Sequence, residues 1–410
     1  MRGDFIMNVK RIFLGLELFA ICFGATVLVP LLTGIPTSIV LFTAGITTLI
    51  MHYFGKGKYG APIIFLGSSF AYIVPINHVR DEWGFAAVFF ALGIAGIMKV
   101  LFSRIVKYFG SELISKKLFP PVVFGSMIAL IGLTLIEDGL GMASENWLLA
   151  LITLITAAVL MVFAKGIPNL FSVLIAVLVG YIASLFSGSV TVEINYLIGL
   201  PAFTKPEVNW QAVFYMLPFA LAPTIEHFGD IFAITEATGK KYYESPGIHR
   251  TMLIDGIGTM MSFLGSVPNT TYSEGVSAVN LLKIKDDKVA RNAGIWALLF
   301  SFVGLLSAFL QSIPTAVIGG VMVILFGSII TIGLKSFVKG KVDFGNPRNI
   351  LIASVMFVFG LGGVKIWVFE EVGLAALLGL TLQMLFLIYD KITGNGEDDE
   401  GDLDPLTVDV

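Results

Sequence analysis

Long apolar runs dominate this chain, and most are close to the roughly 20 residues that a helix needs to cross a lipid bilayer. Twelve runs predict ordinary membrane helices at 12–32, 36–54, 84–103, 119–136, 147–164, 167–186, 210–236, 250–266, 292–311, 313–334, 349–367 and 372–390. Two shorter segments, 61–75 and 268–282, contain too many Gly, Pro, Ser and Thr residues for a continuous lipid-facing helix. The pattern therefore predicts fourteen membrane segments, of which the third and the tenth are broken.

The positions of Lys and Arg divide the predicted connections into two classes. Connections on one side hold 23 of the 26 basic residues, Lys99 counted among them, whereas the opposite connections hold only Arg80, Lys205 and Lys365. Cytoplasmic loops carry the excess of basic residues in membrane proteins. Both termini are therefore predicted to be cytoplasmic, in a multi-pass protein of the cell membrane.

Composition excludes a soluble protein. Residues of the set AVILMFWYC make up 56% of the chain and charged residues only 13%, with a mean hydropathy of +0.89. A soluble fold of 410 residues could not cover its surface with so few charges. The one cysteine, Cys22, cannot form an intrachain disulfide. Residues 394–410 are predicted to be a disordered acidic tail, and the first apolar run, which lacks a small-residue cleavage site, is predicted to be retained as a membrane span.

The chain also resembles itself. The run that begins at Phe119 matches the run that begins at Ile313, so that Pro120 aligns with Pro314 and Gly125 with Gly319. A similar offset places the third segment on the tenth, and seven segments separate each pair. Because seven is odd, the second copy crosses the membrane in the opposite sense, which predicts an inverted repeat. In transporters built this way the broken segments of the two halves meet near the midplane and form the substrate site.

Ionisable side chains inside predicted membrane segments mark candidate functional positions, because charge in hydrocarbon is costly. Glu226 and Asp230 lie four residues apart and share one face of the eighth segment, and Glu274 lies in the broken tenth segment. Asp255, in the ninth segment, is close to a predicted helix end, where a structural role is also common. Other polar residues are open to a structural reading as well: Glu17 near a helix end, His227 as an interhelical histidine, and Ser68, Ser69, Tyr72, Thr270, Thr271 and Tyr272 as residues that hydrogen-bond packed helices.

Two carboxylates facing a cavity without a basic residue disfavour an anionic ligand and suit a neutral ligand with several N–H donors. A neighbouring aromatic residue can stack on a planar ring. Burial also favours the protonated form of a carboxylate, so that one acid could take up a proton on one side of the membrane and release it on the other. The residues alone thus indicate a carrier of a neutral ring compound with a basis for proton coupling.

Several motifs resemble, in order along the chain, the nucleobase/ascorbate transporter family and especially its bacterial uracil:proton symporters. They are FGATVLVPLL, GSSFAYIVP, EHFG, GSVPNTTYSEG and KVDFGNPRNILIASVMFVFG. The resemblance implies an all-α polytopic fold of fourteen segments in two inverted seven-segment repeats, with short strands in segments three and ten. It further implies a core domain (1–104 and 210–311) that moves against a gate domain (119–186 and 313–391), usually in a homodimer.

The resemblance also implies the roles of individual residues. Glu226 and Glu274 match the acids that hold the base, and Tyr72 matches an aromatic residue that contributes backbone contacts. A glutamate at 274 resembles the uracil branch, because purine carriers commonly have Gln there, whereas Asp230 replaces a coupling histidine. The predicted substrate-binding set is Glu226, Glu274, Tyr72, Ser69, Phe70, Tyr272 and Gly275. The predicted proton-coupling set is Glu226, Asp230 and Asp255.

The sequence therefore predicts a secondary transporter that imports uracil by proton symport, with protons, membrane lipid and a second copy of the chain as partners and no nucleic acid, metal or cofactor. A purine such as xanthine is the alternative substrate. Anion exchange on the same architecture is disfavoured by the two acids, and a passive channel by the repeat. No HExxH, CxxC, Walker A or GxSxG spacing occurs, which argues against an enzyme.

Overall fold

The architecture comes from a computed structural model, which describes residues 2–110, 119–186, 188, 190, 197–271, 273–367 and 369–393. The side chains of residues 2–6, 167, 170, 273 and 274 are outside this description. The predicted tail, 394–410, and Tyr272 also lie outside the described residues.

The first half of the chain contains helices and one short strand. In order they are α1 (Arg2–Thr33), α2 (Thr37–Phe54), β1 (Gly67–Ser68), a 3₁₀ turn (Phe70–Tyr72), α3 (Ile73–Phe109), α4 (Pro121–Thr134), α5 (Ile136–Ser144), α6 (Trp147–Phe163), α7 (Ile167–Leu170) and α8 (Ser172–Phe186). Helix α3 is interrupted at Gly84, whose φ of 83° is open to glycine and strained for other residues. This break separates the third membrane segment from the fourth at the residue where the hydrophobic pattern placed the start of the fourth.

The second half likewise places a short strand directly before a helix. It contains α9 (Trp210–Met216), a 3₁₀ turn (Leu217–Ala220), α10 (Leu221–Thr238), α11 (Ile248–Met260), a further 3₁₀ turn (Met261–Leu264), β2 (Asn269–Thr270), α12 (Ser273–Leu281), α13 (Lys288–Phe300), α14 (Gly304–Gln311), α15 (Thr315–Lys339), α16 (Pro347–Leu361), β3 (Lys365–Ile366), β4 (Phe369–Glu370) and α17 (Glu371–Thr393). The fold is all-α and polytopic, with fourteen membrane segments in two inverted halves, as predicted.

Several predicted runs differ from the observed helices, and in three of them the helix is interrupted or ends early. The run 292–311 is not one helix, because α13 ends at Phe300 and α14 begins at Gly304. The run 349–367 ends as a helix at Leu361, and a β3–β4 hairpin follows it. The run 119–136 continues as the separate helix α5. Hydropathy identifies an apolar stretch but does not show where the backbone hydrogen bonds of the helix are interrupted. This explains all three differences.

Six helices of the described chain are long and apolar enough to cross a membrane: Met7–Thr33, Thr37–Phe54, Phe70–Phe109, Pro121–Ser144, Thr315–Lys339 and Glu371–Thr393. Shorter apolar helices, Trp147–Phe163, Ser172–Phe186 and Pro347–Leu361, lie between them. The other membrane segments are built from interrupted helices, in which turns or strands replace part of the helical ladder. Non-helical backbone at membrane depth needs protein or water around it, so these segments belong in the interior.

Close helix packing uses small residues at the crossing points. A Cβ added at Gly125 of α4 would lie 2.7 Å from the carbonyl oxygen of Gly333 in α15, and one at Gly333 would meet the backbone of Ala129. Helices α4 and α15 are the two runs that the internal repeat aligns, and both follow a proline, Pro120 and Pro314. Helix α3 crosses α11 in the same way, because a Cβ at Gly96 would clash with the backbone of Met260.

Candidate functional site

The two broken segments meet at a short antiparallel pairing of β1 with β2. Gly67 is opposite Thr270 and Ser68 is opposite Asn269, and the N–H of Ser69 donates to the carbonyl oxygen of Pro268 over 3.1 Å. All of these residues are buried. Pairing the two segments with each other satisfies backbone groups that would otherwise be unpartnered in the membrane interior. The repeat that the sequence predicted thus brings its two interrupted segments into contact.

Side-chain hydrogen bonds attach the paired strands β1 and β2 to the surrounding helices. The hydroxyl of Ser68 donates to the carbonyl oxygen of Thr26 in α1 over 2.7 Å. On the other strand, the amide of Asn269 donates to the hydroxyl of Thr43 in α2 over 2.8 Å, and Thr43 lies 2.7 Å from the hydroxyl of Ser266. These bonds hold the crossing point to α1 and α2 and restrict its movement relative to them.

A helix begins just after each strand. The 3₁₀ turn Phe70–Tyr72 leads into α3, and α12 starts at Ser273. The N-terminal ends of helices present unpaired N–H groups and a partial positive charge. Within the described part of the chain, the buried hydroxyls of Tyr72 and Thr270 and the side-chain oxygen of Asn269 have no hydrogen-bond partner. Polar atoms in this arrangement are available to a small ligand.

Helix α10 presents an open side beside this crossing. Glu226 is half-buried, whereas Gly229, Ala233 and Glu236 along the same side are exposed. A Cβ added at Gly229 would meet nothing within 4 Å. Asp230, by contrast, is 2% exposed. The helical spacing predicted that Glu226 and Asp230 share one face of the helix. In the structure, Glu226 lies at the edge of the exposed side of α10, and Asp230 lies in the buried interior.

His227 of α10 links that helix and α11 to Thr271, the residue that follows β2. Its Nδ1 lies 3.2 Å from the hydroxyl of Thr271, and its Nε2 lies 2.9 Å from the hydroxyl of Thr251 in α11. The ring is fully buried. This is the geometry expected of a histidine that joins packed helices, the structural alternative that the sequence left open.

Asp255 of α11 contacts the same strand end. Its Oδ1 accepts the backbone N–H of Thr271 over 2.9 Å and lies 3.8 Å from Nδ1 of His227. Its Oδ2 forms an ion pair with the ammonium group of Lys99 in α3, and both side chains are completely buried. Asp255 therefore connects α3, α11 and Thr271, which lies two residues before α12.

Lys99 does not lie in a cytoplasmic connection, where the charge pattern predicted it. Lys99 lies within α3 and is 2% exposed. A usable signal was present, because Lys99 falls inside the predicted span 84–103, where a cation needs a partner. Asp255, inside the predicted span 250–266, was the acid available to it.

The remaining predicted residues are placed in part. Ser69 and Tyr72 are buried and Phe70 half-buried at the start of the first half-helix. Gly275 is buried in the first turn of α12, where an added Cβ would lie 3.5 Å from the sulfur of Cys22 in α1. The backbone of Glu274 also lies in this first turn, but its side chain and all of Tyr272 are outside the described residues.

A family model described as a permease family, Xan_ur_permease, matches residues 9–368, which is most of the chain. The chain belongs to this family, the nucleobase/ascorbate transporters. A probable uracil permease of Haemophilus influenzae is 40% identical over 388 residues, 92% of each chain. The uracil permease of Bacillus caldolyticus is 36% identical over 395 residues, 90% of each chain, and that of Escherichia coli is 35% identical over 389 residues, 90% of this chain and 89% of the relative. This protein is a multi-pass membrane transporter of nucleobases and not an enzyme.

Solved structures share the fold at low sequence identity. The transmembrane domain of the cyanobacterial bicarbonate transporter BicA is similar with a TM-score of 0.58 and 15% identity, covering 95% of this chain and 98% of that one. The murine SLC26A9 anion transporter in its inward-facing state is similar with a TM-score of 0.65 and 14% identity, covering 93% of this chain and 68% of that one. At these identities the likeness supports the arrangement of helices in this transporter and carries no information about its substrate.

Proposed function

We propose that this transporter imports uracil together with protons. Relatives at 35–40% identity over about nine tenths of the chain carry the name uracil permease, which favours uracil within the family. The observation that carries the proposal is the β1–β2 crossing, where two helix starts converge beside the open side of α10 that bears Glu226.

The proposed substrate site lies between these elements. Uracil is neutral, planar and carries N–H donors beside carbonyl acceptors. The carboxylate of Glu226 would accept its N–H groups, and backbone N–H groups at the start of the turn Phe70–Tyr72 would donate to its carbonyl oxygens. Ser69, Gly275, Tyr272 and Glu274 complete the proposed set, with the last two proposed on sequence grounds.

Proton coupling is proposed for an acid that can be neutral in one state and charged in another. Glu226 meets this condition because it borders both the buried interior and the open side of α10. Asp230, one turn further along α10 and buried, is the second proposed carrier. Asp255 is the third, although its contacts with Lys99 and with the backbone N–H of Thr271 also suit a positioning role.

Alternating access is the proposed means of transport. Helices α1, α2, α3, α11 and α13 pack among themselves, and α4, α5, α6 and α15 form a second packed group. This packing supports a core (1–104 and 210–311) that moves against a gate (119–186 and 313–391). We further propose a homodimer in the cell membrane with both termini in the cytoplasm, since the basic residues cluster on one side.

Uptake of labelled uracil into proteoliposomes with an inward proton gradient tests the proposal. We expect gradient-driven uptake by the wild type and its loss in Glu226→Gln and Glu274→Gln. Glu236→Gln is the matched control, because Glu236 is an exposed glutamate on the same helix. Uptake that ignores the gradient, or that survives both substitutions, would contradict symport or the proposed site.

Excess unlabelled xanthine in the same assay distinguishes a uracil transporter from a purine transporter. Uracil uptake that is indifferent to xanthine supports the uracil assignment, whereas uptake of labelled xanthine without uptake of uracil would support a purine carrier. Anion exchange stays disfavoured, because Glu226 would repel an anion at the crossing.

A further inference from the structure

Four basic side chains surround a groove between the end of α3 and the beginning of α11. Arg104 and Lys107 come from α3, and His249 and Arg250 from the first turn of α11, with Ser103 and Leu253 completing the lining. The groove has a volume of about 250 Å³. Arg104, Lys107 and Arg250 are exposed, and His249 is half-buried. Among the described residues, this lining contains no acid.

Positive charge is therefore concentrated in this groove, and none of the described residues that line it carries a negative charge. The charges of Lys107, Arg250 and Arg104 all act on the imidazole of His249. The groove also lies at the start of α11, where the helix contributes a partial positive charge. Like charges held this close repel one another, so an anion that enters the groove relieves the repulsion as well as forming new ionic contacts.

The groove borders an exposed apolar surface of α3. Leu101, Ile105 and Tyr108 are exposed apolar residues on the outer face of this helix. The opposite side of α3, which includes the buried Ser103, packs against α11. By helical spacing, Arg104 and Lys107 lie between this packed side and the exposed apolar face. A ligand in the groove thus has cations around its polar end and an apolar helix surface beside it.

We propose that this groove binds the headgroup of an anionic phospholipid. Basic pockets between membrane helices recognise phosphate-bearing headgroups in this way. The exposed apolar face favours a lipid over a free phosphate ion, because only a lipid brings acyl chains to cover Leu101 and Ile105. A larger groove of about 550 Å³, lined by Arg11, Lys288 and Arg291, is the weaker candidate, because Arg11 is already paired with Asp286.

Native mass spectrometry of the purified full chain with dioleoylphosphatidylglycerol, and with dioleoylphosphatidylcholine for comparison, tests the proposal. The wild type should retain the anionic lipid in preference to the zwitterionic one. The triple variant Arg104→Gln/Lys107→Gln/Arg250→Gln should lower that retention roughly tenfold. The control Lys335→Gln/Lys339→Gln/Lys391→Gln removes three exposed cations that line neither groove and should retain the lipid.

Equal retention of phosphatidylglycerol by the two triple variants would overturn the proposal. Displacement of the lipid by excess inorganic phosphate would also overturn it, since the site would then recognise a phosphate ion alone. If the triple variant does not fold, the single variants Arg104→Gln and Arg250→Gln replace it, and each must weaken retention of the anionic lipid while leaving that of phosphatidylcholine unchanged.

Discussion

His78 of α3 is joined to Glu370 of the β3–β4 hairpin, with Nδ1 of the imidazole 2.9 Å from Oε1 of the carboxylate. Both side chains are largely buried, with 22% and 18% of their surfaces exposed. His78 also stacks on Tyr215 of α9, and their ring centroids are 4.2 Å apart. The contact connects the proposed core to the proposed gate at the end of the molecule opposite the basic connections. If the core moves against the gate, this contact must break in every cycle.

Glu370→Ala should therefore favour the state that is open on this side. Loss of a partly buried polar contact worth about 1 kcal/mol changes the ratio of the two states by about fivefold. A larger population of the binding-competent state lowers the uracil concentration for half-maximal uptake by up to the same factor. Concentration-dependent uptake into proteoliposomes measures this change.

Lys365→Ala provides the control for that experiment. The ammonium group of Lys365 is 3.4 Å from the other carboxylate oxygen of Glu370, but its side chain is 53% exposed. We expect its removal to change half-saturation by less than about twofold, as for most exposed ion pairs. If the two substitutions change the uracil concentration for half-maximal uptake equally, the change comes from the hairpin and not from the contact with His78.

Gly96→Ala should destabilise the packing of α3 on α11. The added methyl group would clash with the backbone of Met260, which cannot move away as a side-chain end could. Overpacking of this kind costs roughly 1–3 kcal/mol, so the thermal unfolding midpoint in detergent should fall. Gly275→Ala is the matched control, because its methyl group would be at an ordinary contact distance, 3.5 Å from Cys22. Equal midpoints for the two variants would argue against the close crossing.

The sequence predicted the parts of this fold that depend on hydropathy and symmetry. Apolar run lengths identified the membrane segments, and the repeat identified Ser68 and Thr270 as parts of segments that meet. The pairing of Lys99 with Asp255 was missed, because the two residues are 156 positions apart and only tertiary packing brings them together. The β3–β4 hairpin was missed because Lys365–Glu370 continues an apolar run, and hydropathy does not distinguish the end of a helix from an apolar turn.

Arg11 and Asp286 should give folding stability a measurable dependence on pH. The Nε of Arg11 donates to Oδ2 of Asp286 over 2.5 Å and ties α1 to the connection before α13. Burial alone would raise the pKa of Asp286, but hydrogen bonds from the backbone N–H of Lys288 and from Arg11, together with the charge of Arg11, hold this pKa below its ordinary value. A lowered folded-state pKa stabilises the protein above the pKa of the unfolded state, and this contribution is lost as the pH falls through the folded-state value.

Arg11→Gln should consequently reduce stability at neutral pH and reduce it less in acid. Asp286 is 36% exposed, so solvent screening limits the expected loss to roughly 0.5 kcal/mol. Unfolding midpoints of the wild type and the variant, measured between neutral pH and pH 3, should converge at the acid end. A constant difference across this range would mean that Arg11 acts through packing and not through the charge of Asp286.

Substitutions of Lys99 and Asp255 should have strongly non-additive effects on the free energy of unfolding. They also test whether Asp255 positions the strand end or takes part in proton coupling. Lys99→Met or Asp255→Asn alone leaves one uncompensated charge or one unpaired partner in a fully buried site, a loss of roughly 3–5 kcal/mol. The double variant removes both charges, and the side-chain amide oxygen introduced at position 255 would still accept the N–H of Thr271, so its unfolding midpoint should recover most of the loss. If Asp255 only positions the strand end beside α12, gradient-driven uracil uptake should recover with stability. Uptake that stays absent in a stable double variant would instead show that transport requires the charges of this pair, which would keep Asp255 as a candidate for the proton pathway.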